Sequence, residues 1–291
     1  MNISRKDAIK SIAGVSIGAL LPGSDSAPSF TEKGKKSRKQ TFKHSVCRWP
    51  YGSKSLEELC ETAVDLGIES IELLNPDEIE VVQKYGLTCA MANQVPISLT
   101  EGFNNPDLHK KLQADYFELI PKIADLGIKN IICFSGNRYG MSDEGGLEHC
   151  AVGLEPVVKK AAEYDITIQM ELLNSKVDHK DYQCDHTEWG VALCEKMGLD
   201  NFKLLYDIYH MQIMEGDVIA TIRKYQDYIG HFHTGGVPGR NEIDETQELN
   251  YKAIMEAISE IGFTGFVAQE FIPKNEDVFA SLKQGIEICT V

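Results

Sequence analysis

Four segments in the C-terminal half of this 291-residue chain end in side chains that can hold a cation or move a proton. They are Ile166-Thr-Ile-Gln-Met-Glu171, Lys203-Leu-Leu-Tyr-Asp207, His231-Phe-His233 and Phe266-Val-Ala-Gln-Glu270. Brought together, three carboxylates and an imidazole crowd negative charge, and a divalent cation between them relieves it. Mixed oxygen and nitrogen donors suit Mn2+, Mg2+ or Co2+ better than a structural zinc. Singly, each residue is ordinary: a Glu at a strand end is commonly a cap partner or a surface charge, and such a His a satisfied core group. Four in succession point to a metal site formed by Glu171, Asp207, His233 and Glu270. Glu72 also ends such a run, but alone, and reads equally as site lining or structure. A loop follows the third run, Thr234-Gly-Gly-Val-Pro-Gly-Arg240-Asn-Glu242. Its glycines and Pro-Gly make a tight path, and Arg240 offers a fork to a carboxylate or to sugar hydroxyls.

Convergence requires elements that place these run ends side by side. One joint recurs along the chain: Ala63-Val-Asp-Leu-Gly67, Ala124-Asp-Leu-Gly127 and Ile258-Ser-Glu-Ile-Gly262 each close a helical pattern and precede a β-rich run. Lys84-Tyr-Gly86 is a shorter copy, and Asp165 stands in the glycine's place in a fifth. Glycine suits the left-handed residue that ends a helix. Eight strands are expected, centred on Val46, Ile71, Cys89, Ile132, Ile168, Leu205, Phe232 and Val267. Helical patterns cover Ser55–Leu66, Pro106–Leu126 (kinked at Pro121), Leu154–Tyr164, Thr187–Met197, Val218–Tyr225 and Tyr251–Ile261. Eight successive βα units fit an α/β fold closed as a (β/α)8 TIM barrel, whose active site lies at the C-terminal strand ends. An open dinucleotide-binding sheet would need a glycine-rich phosphate turn, and the chain has neither GxGxxG nor a P-loop.

With 43% hydrophobic and 25% charged residues, the composition is globular and excludes fibrous and disordered classes. The net charge is −15, unevenly spread. Residues 1–43 hold nine Lys/Arg against three Asp/Glu, a balance of +6, so the remainder carries −21. Such a body repels phosphate backbones, which argues against a nucleic-acid partner. Arg5 and Lys6 precede a short apolar run from Ile12 to Leu21, broken by Pro22-Gly23. Residues 1–41 therefore read as a twin-arginine-like export leader with a basic linker, and 42–291 as one barrel domain. Export implies the periplasm, with the cytoplasm as the alternative. No segment reaches transmembrane length, and homo-oligomer formation is left open. The eight Cys form no CxxC or disulfide framework. Cys47, Cys89 and Cys133 read as small core residues, a usage that favours a reducing compartment and conflicts with the leader.

The stretch His231-Phe-His-Thr-Gly-Gly-Val-Pro-Gly-Arg-Asn-Glu-Ile-Asp244 with Glu248-Leu-Asn-Tyr251 resembles the hydroxypyruvate isomerase family of the xylose isomerase-like superfamily. Glu171-Leu-Leu-Asn174, Asp207-Ile-Tyr-His210 and Gln269-Glu270 match other motifs of that family, and the resemblance runs from about residue 42 to the end. It implies a TIM barrel in which Glu171, Asp207, His233 and Glu270 bind a divalent metal. Glu171 and Glu270 would also shuttle protons on opposite sides of a small hydroxy-keto acid or sugar, while His210 and Arg240 hold its oxygens. The implied reaction is isomerisation through an enediolate, hydroxypyruvate to tartronate semialdehyde. His233 departs from the Gln usual in hydroxypyruvate isomerases and matches the ketose 3-epimerases. Leu172 replaces the usual Pro, and the stretch from Lys176 to Tyr182 is also unlike the common form. The alternatives are a ketose 3-epimerase, a metal-dependent abasic-site endonuclease, which the −21 body disfavours, and a catalytically inactive exported sugar-binding barrel.

Overall fold

A computed structural model describes residues 39–93, 96 and 98–291. The expected leader and most of its linker lie outside these residues. Among the described residues seven strands are present: β1 (Lys43–Cys47), β2 (Ser70–Glu72), β3 (Asn130–Cys133), β4 (Thr167–Glu171), β5 (Phe202–Asp207), β6 (Ile229–Thr234) and β7 (Phe266–Gln269). Their order in the sheet is β2-β1-β7-β6-β5-β4-β3, with every pairing parallel.

The stave expected at Cys89 closes the cylinder between β2 and β3 without forming a regular strand. Parallel bridges join Ser70 to Thr88, Leu74 to Ala92 and Ala92 to Ile131. Between them the backbone of Ala90 bonds to side chains instead of a ladder. Its N–H donates to Ser70 Oγ (2.8 Å), and its carbonyl accepts from Asn130 Nδ2 (2.9 Å). The polar groups are satisfied, so the irregular stave remains a buried wall.

The helices are α1 (Leu56–Asp65), α2 (Pro76–Gln83), α3 (His109–Asp125), α4 (Asp143–Ala162), α5 (Thr187–Met197), α6 (Ile208–Met214), α7 (Val218–Tyr225), α8 (Tyr251–Glu260) and α9 (Val278–Cys289). Ser55 with Glu58 and Asn75 with Glu78 form capping boxes that start α1 and α2. Gly67, Gly86, Gly127 and Gly262 all take positive φ at the repeated joints, as does Asp165. The helix α4 begins eleven residues before the expected Leu154 because its glycines masked the pattern. A Cβ at Gly146 would stand 2.4 Å from the Gln183 side chain, and one at Gly153 would stand 2.5 Å from His109. These glycines are contact points, so α4 persists where its sequence looks like a breaker. Helix α2 is the helical stretch closed by the Gly86 joint, α6 and α9 have no counterpart among the expected helices, and α3 continues as one helix through Pro121.

Alternate strand residues serve two environments. Val46, Ile71, Ile168, Leu204 and Phe232 are fully buried with Leu59, Val82, Ile123 and Val157 of the helices. The intervening positions place Ser45, Ser70, Glu72, Gln169, His231 and His233 inside the cylinder, all of them buried. All eight cysteines are buried and free. No described helix is long and apolar enough to cross a membrane.

Above the barrel, the loop carrying Phe103 and Asn104 lies along the end of β3. Phe103 N bonds to Phe134 O (3.2 Å) and Asn104 N to Ser135 O (2.8 Å). A Cβ on Gly102 would fall 2.3 Å from Gly136 N, a backbone atom that cannot swing aside. Gly102→Ala is expected to destabilise the protein by about 1–3 kcal/mol, the usual range for overpacking. Urea unfolding checks it, and an unchanged midpoint would contradict this close approach.

Candidate active site and cation site

Parallel register converts distant sequence positions into neighbours. Glu171 and Asp207 are the last residues of β4 and β5, His233 lies near the end of β6, and Glu270 directly follows β7. Asp207 is the Cα partner of His233, and His233 that of Ala268. One donor atom from each of Glu171, Asp207, His233 and Glu270 lies within 4.8 Å of the others, and all four residues are buried. The expected set is thus brought together in one cup.

Each side chain is divided between the cup and its supports. Asp207 caps α6: its Oδ1 accepts the backbone N–H groups of Tyr209 (2.8 Å) and His210 (3.2 Å). Its Oδ2 faces Arg240 Nη2 at 3.2 Å. Glu270 Oε1 accepts the Trp49 indole N–H (2.7 Å), and its Oε2 is paired with Arg240. His233 Nδ1 lies 2.9 Å from Glu270 Oε2 and 3.3 Å from Glu171 Oε1. Arg240 is also stacked near Trp49 and Tyr209, 5.1 and 5.5 Å from their ring centroids. The glycine loop makes this placement possible. A Cβ at Gly236 would meet Glu242 O at 2.3 Å, and one at Gly235 would meet Arg240 Cγ at 3.2 Å. Glu242 fastens the loop by accepting the N–H groups of Lys274 (2.7 Å) and Asn275 (3.0 Å).

His210 is wholly buried, and its ring is oriented by Asn174. Asn174 Oδ1 accepts from the backbone of Val177 and Asp178, so its Nδ2 is the donor to His210 Nδ1 at 2.6 Å. The His210 proton therefore sits on Nε2, 3.5 Å from Asp207 Oδ2. Burial, reinforced by Arg240, holds its pKa well below the usual imidazole range, leaving a neutral ring with one N–H to offer.

The carboxylates are not equivalent. Burial pushes Asp207 up to about 8 despite the opposing Arg240. Glu171 is also raised by burial, with the neighbouring His233 opposing. Burial acts the same way on Glu270, but Arg240 and His233 outweigh it and hold its pKa well below the normal carboxyl range. On His233, burial opposes the charge while the Cys47 sulfur and Glu270 outweigh it, so the pKa is raised. Neighbouring carboxyls with diverging pKa values are the usual substrate of paired acid–base chemistry.

The donor set fits a hard divalent cation. Glu171 Oε1 and His233 Nδ1 are buried, face each other across the cup, and make no well-aligned hydrogen bond. Three carboxylates and one imidazole nitrogen then supply the oxygen-rich mixture that Mn2+, Mg2+ or Co2+ takes.

Glu72 lies outside this set and pairs with His231 and His233 beneath it. Three neighbours of the cup, Trp49, Asp178 and His179, were not among the residues expected there. Trp49 follows β1 and reaches Glu270 from 221 residues away. Tyr209 OH donates to Asp178 Oδ2 (2.8 Å), which also accepts from Asn174 Nδ2 (2.7 Å). His179 packs its ring 5.1 Å from that of His210. The departure from the family pattern between Lys176 and Tyr182 was the one available pointer to the last two.

The chain matches, over residues 60–288, the model of the xylose isomerase-like TIM barrel family. It is 35% identical to the 2-oxo-tetronate isomerase of Cupriavidus necator over 230 residues, 75% of this chain and 87% of that protein. It is 31% identical to the hydroxypyruvate isomerase of Escherichia coli over 150 residues, 51% of this chain and 57% of that one. Among solved structures, the crystal structure of AP endonuclease, family 2, from Brucella melitensis superposes with a TM-score of 0.74 at 21% identity, covering 84% of this chain and 97% of that one; this likeness concerns the fold. Barrel topology, strand-end carboxylates and these matches agree: the chain belongs to the xylose isomerase-like TIM barrel family, among its hydroxypyruvate isomerase-like isomerases.

Proposed function

We propose that this isomerase interconverts short 3-hydroxy-2-oxo acids and their 2-hydroxy-3-oxo partners, hydroxypyruvate and tartronate semialdehyde being the first pair to test. The observation that carries the reading is the convergence of Glu171, Asp207, His233 and Glu270 within one buried cup. The names of the relatives support the substrate class, because 2-oxo-tetronate and hydroxypyruvate share the same reacting carbons.

Glu171, Asp207, His233 and Glu270 would hold a divalent cation. When bound, such a cation polarises the substrate carbonyl and stabilises negative charge on neighbouring oxygens. The remaining work belongs to side chains. A carboxylate removes the proton from C3, an enediolate forms, a carboxyl group returns a proton at C2, and the proton of the C3 hydroxyl passes to the C2 oxygen, so that C3 becomes the carbonyl and C2 the carbinol. Both oxygens of Glu270 are engaged, by Trp49 and Arg240, whereas Glu171 Oε1 is unengaged. Glu171 is therefore the group freer to exchange a proton with substrate, and Glu270 its counterpart. Arg240 and the His210 Nε2–H would orient the substrate oxygens, and Trp49 would cover the mouth of the cup. A second reading, 3-epimerisation of a ketose, is favoured by His233, where hydroxypyruvate isomerases typically carry Gln. It needs the same proton removal, with return to the other face of the same carbon.

Glu171→Gln is expected to keep the fold and lose turnover by about 10²–10⁴-fold, the range for positioned acid–base groups. Deuterium uptake from heavy water into hydroxypyruvate, 2-oxo-tetronate, fructose and tagatose reads both the chemistry and the substrate. A Glu171→Gln enzyme with undiminished uptake would remove Glu171 from the mechanism.

Cation uptake should strengthen as pH rises. Asp207 must lose its proton to act as a ligand, and burial raises its pKa from 3.8 to about 8. A carboxyl raised in the folded state contributes stability that is present at low pH and lost as pH climbs through the raised value. Cation-free protein is thus expected to lose stability between about pH 4 and pH 8. The rise in melting temperature caused by Mn2+ should then be larger at pH 8 than at pH 6. Thermal melts with and without Mn2+ at the two pH values test this, and an equal rise at both would exclude Asp207 as a ligand.

A further inference from the structure

We propose that Glu72 is the positioning residue of the cation site, gripping His233 by its Nε2–H so that Nδ1 is presented to the cup. The proposal builds on the cation-site reading above and adds a residue that lies outside the four-residue set.

The contact is long-range in every sense. Glu72 closes β2, His233 lies on β6, and the two are 161 positions apart in sequence. In the sheet, β1 and β7 stand between their strands, so the contact spans the interior of the cylinder. Glu72 and His233 are both fully buried, and His231 is 1% exposed, so water does not compete for these bonds.

One oxygen makes the arrangement directional. Glu72 Oε1 lies 2.8 Å from His231 Nε2 and 2.8 Å from His233 Nε2. An ionised carboxylate only accepts, so each of these nitrogens must carry a hydrogen. On His233 that leaves Nδ1 as the nitrogen facing Glu270 Oε2 (2.9 Å) and Glu171 Oε1 (3.3 Å). A carboxylate on the far nitrogen of a ligating imidazole fixes the tautomer and ring plane and strengthens the donor. His231 keeps the grip in place. It is two residues before His233 on the same face of β6, with ring centroids 5.2 Å apart and planes at 83°. Glu72 cannot turn away from one ring without leaving the other. Its second oxygen, Oε2, has no hydrogen bond, so its bonding runs through Oε1, to the two histidines at 2.8 Å and to the Cys47 thiol at 4.0 Å.

Glu72, His231 and His233 also place three potential donor atoms within 4.8 Å of one another, which makes a second cation the rival explanation. Full-length wild-type, Glu72→Gln and Glu72→Leu proteins distinguish the two. Mn2+ titration should find one ion per chain in all three. Affinity should fall roughly 10–100-fold in Glu72→Leu, as when other such supporting partners are removed. Glu72→Gln, which keeps an acceptor oxygen, should fall between them. Histidine-labelled protein loaded with Mg2+ should show a protected, downfield Nε2–H signal from His233 in the wild type, weakened in Gln and lost in Leu. If Glu72→Leu fails to fold, the comparison of wild type with Gln carries both measurements. Equal affinities in the folded forms, or a His233 proton on Nδ1, would overturn the proposal. So would two Mn2+ ions in the wild type falling to one in the variants. If the wild type takes up no Mn2+, the cation reading fails, and the Nε2–H signal in unloaded protein still decides whether Glu72 orients the ring.

Discussion

Three carboxylates confined to one dehydrated cup set the conditions for the rest of the molecule. Charge of one sign at that density is unfavourable in a buried setting, and the protein answers in two ways. Glu171 and Asp207 are pushed toward their protonated forms, while Glu270 remains ionised against Arg240 and His233. The same crowding supplies an oxygen-rich donor set for a divalent cation and two carboxyl groups with unlike proton affinities. The proposed cation retention and proton transfer would therefore draw on one electrostatic arrangement.

Holding that arrangement requires supports that perform no chemistry. Asp207 can turn one oxygen to the cup because the first N–H groups of α6 take the other. The Asn174 amide sets the tautomer of His210, and its own orientation is set by the backbone beyond it. Arg240 reaches two carboxylates because Gly235 and Gly236 let the loop pass where a side chain would collide, and Glu242 pins the returning segment. The ends of four parallel strands carry the four central groups, while helix α6 and the glycine loop carry His210 and Arg240, the residues expected to meet substrate.

Several of these features were legible in one dimension. The repeated Leu-Gly-Ile joint marks helix ends because few residues other than glycine adopt positive φ readily, a constraint that acts within a few residues. Thr187–Met197 and Val218–Tyr225 were readable to the residue because their apolar spacing is uninterrupted. The start of α4 was hidden by glycines whose reason is contact with Gln183 and His109, residues of other segments. The stave at Cys89 is irregular because Ser70 and Asn130 bond to Ala90, again from other strands. Trp49, Asp178 and His179 reach the cup through contacts that no local pattern encodes.

What the amino-acid order determined by itself is the list of run ends and the alternation of strand and helix: Glu171, Asp207, His233 and Glu270 each close a βα unit, and local rules of helix ending and strand alternation are enough to see it. Only the closed cylinder decided that these four ends share one cup, that Glu72 serves His231 and His233 from the opposite wall, and that Arg240 rather than another cation enters among the carboxylates. The physical reason is range. Backbone conformation answers to neighbours a few residues away, whereas burial, charge balance and hydrogen-bond partnership are settled by groups as far apart as the 161 positions between Glu72 and His233.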